Sequence, residues 1–559
     1  MPHDSLFDAR LAALARLPAE LLRHTYLIGL EKEALRVTPD GKVAASPHPQ
    51  ALGSALTHPY ITTDFSEALL ELVTPAVATP TAALAFLNNL HLFVYRHIGD
   101  ERLWATSMPC VIGGGATIPL AYYGESNAGR MKTLYRRGLG NRYGRVMQII
   151  AGVHFNFSLR EDLWPLLQQT FARLGDPGRG HGGQDESDAD PRAFRDNLYM
   201  GMVRNLQRLG WLVPYLFGAS PAVCKSFVQG APGELQHFDA NTYYRPFATS
   251  LRMGDIGYQN RQEEGTGMKA SYDSLDAYVR SLTWAIETPC PRYETIGVKV
   301  AGRYQQLNDH VLQIENEYYS TVRPKQITQG MERPTLALRR RGIRYVELRS
   351  VDVNAFHPLG VDEEQLYFLA TFMLHSLLRS SPRINARERR AIDANEVIAA
   401  HRGREPNLEL ERDTQTVRLA DWALGVLDQM EDVAALLDGG DAGPHQASVR
   451  SQIRKVRLAD TTPSARMLAE MRAEGEGFAS FARRLTEVHR QAFQDRQLPD
   501  TARQELEALS ATSRAEQKDI ENSDPRDFDD FLADYFNQGE TPWLGETHAA
   551  PRPGAATGP

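Results

Sequence analysis

The sequence predicts an α+β fold: a curved antiparallel β-sheet funnel with surrounding helices and a helical C-terminal third. Three observations lead there. Residues 27–355 contain many short apolar or alternating segments, several rich in β-branched residues, separated by Gly, Pro and Asn. From Asp362 onward, stretches such as Glu363–Arg379 and Ser464–Gln494 place apolar residues at helical spacing among Leu, Ala, Arg and Glu. Several predicted strands also pair an apolar face with one of Glu, His, Asn, Gln and Arg, which suits a sheet that covers a core on one side and lines a polar cavity on the other.

Taken in order, Tyr26–Val37 (YLIGLEKEALRV) reads as a strand, so Glu31 and Glu33 share a face. Two carboxylates on one face repel unless a cation lies between them, and on these residues alone a solvated face paired with Lys32 or Arg36 is the simpler account. Thr62–Pro75 (TTDFSEALLELVTP) adds Asp64, Glu67 and Glu71 among apolar residues, with Glu67 and Glu71 expected on one side. A surface explanation then needs two coincidences. Gly152–Leu159 (GVHFNFSL) alternates Val153, Phe155 and Phe157 against His154, Asn156 and Ser158. A lone His on such a strand is more often structural than ligating, and it gains weight only beside acids supplied elsewhere. Arg344–Val353 (RYVELRSVDV) puts Tyr345, Glu347 and Arg349 on one face, and Gln313, Glu315 and Glu317 are expected to do likewise.

Hard oxygen ligands select Mg²⁺ or Mn²⁺ over zinc. Arginine beside them, such as Arg349 near Glu347, suits phosphate oxygens that metals also bridge. The combination points to phosphoryl transfer from a nucleotide. No P-loop supports it, since Gly113–Gly115 lacks the following Gly-Lys-Ser/Thr and reads as a turn.

The 559 residues carry 62 Lys and Arg against 70 Asp and Glu, a net charge of −8, which disfavours nucleic-acid or anionic-membrane partners. Three widely spaced cysteines, Cys110, Cys224 and Cys290, cannot form a fully paired framework, and a reducing cytoplasm is the simplest compartment. The N-terminus lacks a secretory pattern, and no run of eighteen apolar residues occurs. We expect a catalytic core over 1–370, a helical region over 371–548, exposed loops at Gly175–Asp190 and Asp438–His445, and a disordered tail over 549–559.

The stretches GLEKEALRV (29–37), ALGSALTHPYITTDFSEALLELVTP (51–75), GDERLWATSMPC (99–110), KTLYRRGLGNRYG (132–144), GVHFNFSL (152–159), VPYLFGASPAVC (213–224), FATSLRMGDIGY (247–258), LQIENEYYSTVRPK (312–325) and VELRSVDVNAFHPLGVDEEQ (346–365) closely resemble glutamate-cysteine ligase of the proteobacterial type. The resemblance implies a fold of the glutamine synthetase-like type and an activity: ATP-dependent ligation of the γ-carboxylate of L-glutamate to the amine of L-cysteine through γ-glutamyl phosphate, the first step of glutathione biosynthesis. It implies Mg²⁺ (or Mn²⁺) ligands at Glu31, Glu33, Asp64, Glu71, His154 and Glu347, and Arg349 stabilising the transferred phosphoryl group with Glu31 and Glu347. Arg252 would pair with a substrate carboxylate, and Gln148, Ile150 and Asn156 would hold the glutamate portion. Phe65, Tyr135, Tyr258 and Tyr319 would shape the cysteine pocket. Feedback inhibition by glutathione and a monomeric state are further implications. We further expect no second, ATP-grasp domain of the kind found in bifunctional relatives, so that the reaction stops at γ-glutamylcysteine. A related ligase using another amine, and a non-catalytic nucleotide-binding homologue, remain as alternatives.

Overall fold

Alternation in the sequence becomes a sheet in the computed structural model, which describes residues 4–22, 24–110, 113–171, 174, 190–228, 233–256, 269–440 and 442–538. Strands β1 (Tyr26–Val37), β2 (Ile61–Thr63), β3 (Leu69–Val73), β4 (Arg102–Leu103), β5 (Gly152–Leu159), β6 (Val322–Lys325) and β7 (Tyr345–Asp352) form one seven-stranded sheet. Its order is β6-β7-β5-β1-β3-β2, with β4 also on β1, and all pairs are antiparallel. Register sends Ile28, Leu30, Val153, Phe155, Phe157, Val346 and Leu348 to one face, where all are buried. Helices α1 (Pro80–Tyr95) and α4 (Glu363–Leu378) pack against this side.

The helices begin where local chemistry favours them. Asp362 accepts the Gln365 amide hydrogen at 2.7 Å, satisfying one of the free N–H groups of the first turn of α4. Nearly every side chain from Gln365 to Leu378 is buried, as expected of a helix surrounded by others. Its neighbours are α3 (Pro191–Leu209), α5 (Leu419–Leu437) and α6 (Pro444–Arg457). Further along the chain, α7 (Phe478–Gln494) packs on α1, and α8 (Phe528–Asn537) returns to α2 (Asn127–Tyr143). Met131 and Leu134 of α2 join Phe528, Phe531, Leu532 and Tyr535 of α8 in a small separate core. No described helix is long and apolar enough to cross a membrane.

Several expectations need correction. The region 27–355 is not mainly sheet, since α1, α2, α3 and the helices Leu275–Glu287 and Pro334–Arg341 lie within it. Ser464–Gln494 is two helices, because Gly475 at φ 63° ends Pro463–Ala473 before α7 begins. Glu315–Glu317 is a turn of 3₁₀ helix and not a strand. In the Asp438–His445 stretch the two ends turn inward: the Asp438 carboxylate accepts from the Gln446 amide at 2.9 Å and from the His445 ring at 2.7 Å. Gly439 and Gly440 between them are exposed. Cys110 and Cys224, 114 residues apart, are joined by a disulfide, whereas Cys290 is free and buried. The 175–189 loop and the 549–559 tail lie outside the described residues.

Candidate active site

Register assembles the polar face of the sheet. Glu31 stands opposite His154 across β1 and β5, Glu33 opposite Glu71 across β1 and β3, and Glu347 opposite Asn156 across β7 and β5. The side chains converge accordingly. His154 Nδ1 lies 3.1 Å from Glu31 Oε2 and 3.7 Å from Glu347 Oε1, while its Nε2 lies 3.7 Å from Glu33 Oε1. Asn156 donates to Glu31 Oε1 at 2.7 Å, and the Gly152 amide donates to Glu33 Oε2 at 2.6 Å. Arg349 Nη1 approaches Glu347 Oε1 at 3.1 Å and Lys325 Nζ its Oε2 at 3.3 Å.

Charge is distributed unevenly over this face. Burial, together with the charges of Glu31, Asp64 and Glu33, pushes the Glu71 carboxyl well above the ordinary carboxylate range. Burial raises Glu33 as well, with Asp64 adding to it against the pull of His154. At Glu347 burial acts upward, yet Lys325, Arg349, His154 and Arg323 together hold the group well below its usual value. Glu31 is also lowered: burial and Glu347 oppose ionisation, but the His154 contact and Lys325 prevail.

Around this cluster opens a cavity of about 900 Å³. Glu31, Glu33, Asp64, Glu71, His154, Arg252, Glu347 and Arg349 all line it, as do Gln148, Tyr135 and Tyr319. Asp64, at the end of β2, is 3.8 Å from Arg136 Nη2. Phe65 and Ile150 are buried in the core beside the cavity, and Asn156 sits against Glu31. Tyr258 lies outside the described residues. Glu67 does not accompany Glu71. It occupies the turn between β2 and β3, where its carboxylate accepts from the His48 and Tyr122 amides at 2.6 and 2.7 Å.

Among the cations of the wall not singled out from the sequence are Lys132 and Arg136 on α2, and Arg323 and Lys325 on β6. The β6 pair carried a usable signal, since VRPK alternates apolar and basic residues. Burial and Arg136 lower Lys132 to about 8, against the pull of Glu71. Buried Arg323 faces Glu347 across β6 and β7 and donates to the Asn316 carbonyl at 3.2 Å and to that of Tyr318.

The donor set fits a hard divalent cation. Ligand atoms of Glu31, His154 and Glu347 lie within 4.8 Å of one another. Both Glu347 oxygens are buried and accept no hydrogen bond, although Arg349 and Lys325 stand within ion-pair reach. Unfilled acceptor capacity of this kind, in a group of carboxylates and one imidazole, is what a cation of the Mg²⁺ or Mn²⁺ class uses.

Comparison with known proteins shows what the chain is similar to. Residues 11–398 match the family model for glutamate-cysteine ligase. A glutamate-cysteine ligase of Alcanivorax borkumensis is 46% identical over 517 residues, covering 91% of this chain and 95% of the relative. That of Azotobacter vinelandii is 46% identical over 537 residues, covering 95% and 98%. The crystal structure of a glutamate-cysteine ligase from Francisella tularensis in complex with AMP superposes with a TM-score of 0.83 at 34% identity, over 92% of this chain and 98% of that one.

Proposed function

The chain belongs to the glutamate-cysteine ligase family and uses ATP to join glutamate to cysteine as γ-glutamylcysteine, and we propose how its cavity divides that work. A carboxylate is a poor electrophile, so the γ-carboxylate of glutamate must first acquire a leaving group, which ATP supplies as γ-glutamyl phosphate. The cysteine amine then attacks the activated carbonyl and phosphate departs. The AMP bound to the Francisella structure supports nucleotide use in this fold.

Glu31, His154 and Glu347 would hold one divalent cation, with Glu33, Asp64 and Glu71 available for others; the cations would neutralise the triphosphate and draw charge from the transferring phosphoryl group. The observation that carries this assignment is the convergence of those three ligand groups on unfilled Glu347 oxygens. Arg349, its guanidinium beside Glu347, presents a planar fork to the phosphoryl oxygens as they gain charge. Arg252 meets a substrate carboxylate from the side of β5, and Gln148 faces the same space. Tyr135 and Tyr319 border the volume left for cysteine, and the polar face of the sheet serves as the floor of a funnel like that of glutamine synthetase.

Incubating the purified chain with ATP, Mg²⁺ and glutamate, with and without cysteine, tests the reading. It predicts one ADP and one phosphate per γ-linked dipeptide, identified by mass. ATP hydrolysis without dipeptide, or an α-linked product, would contradict it.

A further inference from the structure

The polar face contains one irregularity, and it lies at the arginine assigned to the phosphoryl group. Leu348 pairs with Phe155 and Val351 with Val153, so β7 spends two residues, Arg349 and Ser350, where β5 has only His154. Such a β-bulge re-aims the side chain it carries and takes its backbone out of the ladder. On the β6 side the register continues unbroken, with the Arg349 amide donating to the Thr321 carbonyl at 2.8 Å, so the bulge is confined to the β5 side. The Arg349 carbonyl accepts from Arg252 Nη2 at 2.9 Å.

Arg252 is held in turn. Its Nη1 lies 3.5 Å from Asp352 Oδ1, and both side chains are buried. Asp352 also accepts from the Ser250 hydroxyl at 3.0 Å and, through Oδ2, from the Ala219 amide at 2.9 Å. Gly152 is the register partner of Asp352 across β5 and β7. A Cβ at Gly152 would come within 2.0 Å of Arg252 Nη2, so the guanidinium occupies the space that a side chain there would fill. The Gly152 amide meanwhile donates to Glu33.

We propose that Asp352, Arg252 and Gly152 form a brace that fixes the β7 bulge and thereby aims Arg349, making Asp352 and Gly152 positioning residues for the ligase reaction. Asp352 supplies the anchoring charge. Gly152 supplies the room, and Arg252 transmits the fit to the Arg349 backbone. This rests on the roles given above to Arg252 and Arg349.

Steady-state kinetics of the full-length chain with Mg²⁺ and ATP, run on Asp352→Asn, Gly152→Ala, Arg252→Lys and the double variant Asp352→Asn/Arg252→Lys, tests the brace. Asp352→Asn keeps its shape and loses its charge, and Gly152→Ala adds only volume, so either one can carry the test if the other does not fold. The brace predicts that each lowers kcat by about ten- to a hundredfold, because a displacement of about 1 Å in a reacting group has that scale of effect. The KM for ATP should move less than about twofold, and the double variant should be little worse than Arg252→Lys, since the two residues act through one contact. A folded Asp352→Asn with normal kcat, or fully additive losses in the double variant, would overturn the brace. The reading of Arg252 fails separately: Arg252→Lys with an unchanged KM for glutamate but a lowered kcat would remove the substrate contact and leave the brace standing.

Discussion

On the cavity face of β1, Glu31 and Glu33 crowd against Glu71, Asp64 and Glu347, whereas Lys32 between them turns to the core face. There Lys32 Nζ meets His91 Nε2 at 2.7 Å, and no carboxylate pairs with it among the described residues. His91 Nδ1 donates to the Leu87 carbonyl at 2.8 Å, which leaves Nε2 as the acceptor of a lysine proton. Burial lowers Lys32 to about 7. The core face therefore accommodates Lys32 by letting it approach neutrality, while the cavity face retains several carboxylates whose repulsion the fold alone does not relieve. Stability explains the first arrangement. The second makes sense only for a face that receives cations.

The largest expected effect comes from removing charge on the cavity face. Glu347→Gln or Glu31→Gln should leave circular dichroism unchanged and lower turnover by roughly 10²- to 10³-fold, the scale of losing one preorganised electrostatic contact. Near-normal turnover of both at saturating Mg²⁺ would remove the distinction between the faces.

The core face should respond in stability and not in chemistry. Because Lys32 is depressed on folding, the unfolded chain binds more protons between its folded value of about 7 and its ordinary value of 10.5, so this group makes stability rise with pH over that window. Lys32→Met should cancel a slope of at most about 1.4 kcal/mol per pH unit, seen as a difference between denaturant midpoints of the two proteins at pH 7 and pH 9. Parallel pH profiles would show that Lys32 is not desolvated as described.

A smaller effect is expected at Glu71. Its carboxyl is raised in the fold, so its contribution is full below the unfolded value near 4.5 and is lost as pH rises through the folded one. In cation-free buffer at pH 8, Glu71→Gln should then melt higher than the parent, by on the order of 2–4 °C. Mg²⁺ should shrink or reverse that gain, since only the parent keeps the full ligand set. An equal gain with and without Mg²⁺ would assign Glu71 to packing alone.

What the sequence made legible follows from period. Strands β1 and β5 keep a two-residue register throughout their pairing and β7 keeps it from Val346 to Leu348, before its bulge, so their faces, and with them Glu31, Glu33, His154 and Glu347, could be read directly. Where period two was assumed without a ladder, the reading failed: Glu315 and Glu317 sit in a 3₁₀ turn, with Glu317 paired to Arg142 at 2.9 Å and Glu315 to Arg333 at 3.3 Å. Glu67 and Glu71 looked equivalent by spacing, but a turn intervenes between β2 and β3 and redirects Glu67 to two amides. Contacts made across long separations left no local trace. The Cys110–Cys224 bond, the β7 bulge and the approach of α2 to the cavity depend on which distant segments become neighbours, which no single stretch encodes.

The account stands or falls on whether the cavity face binds a divalent cation through the residues named. Titrating cation-free protein with Mn²⁺ in the absence of nucleotide, and following free Mn²⁺ by electron paramagnetic resonance, measures this directly. The parent should bind Mn²⁺ and release protons from its raised carboxyls, and Glu31→Gln and Glu347→Gln should each bind about tenfold or more weakly. Equal binding by all three proteins, or none by the parent at millimolar Mn²⁺, would contradict the assignment.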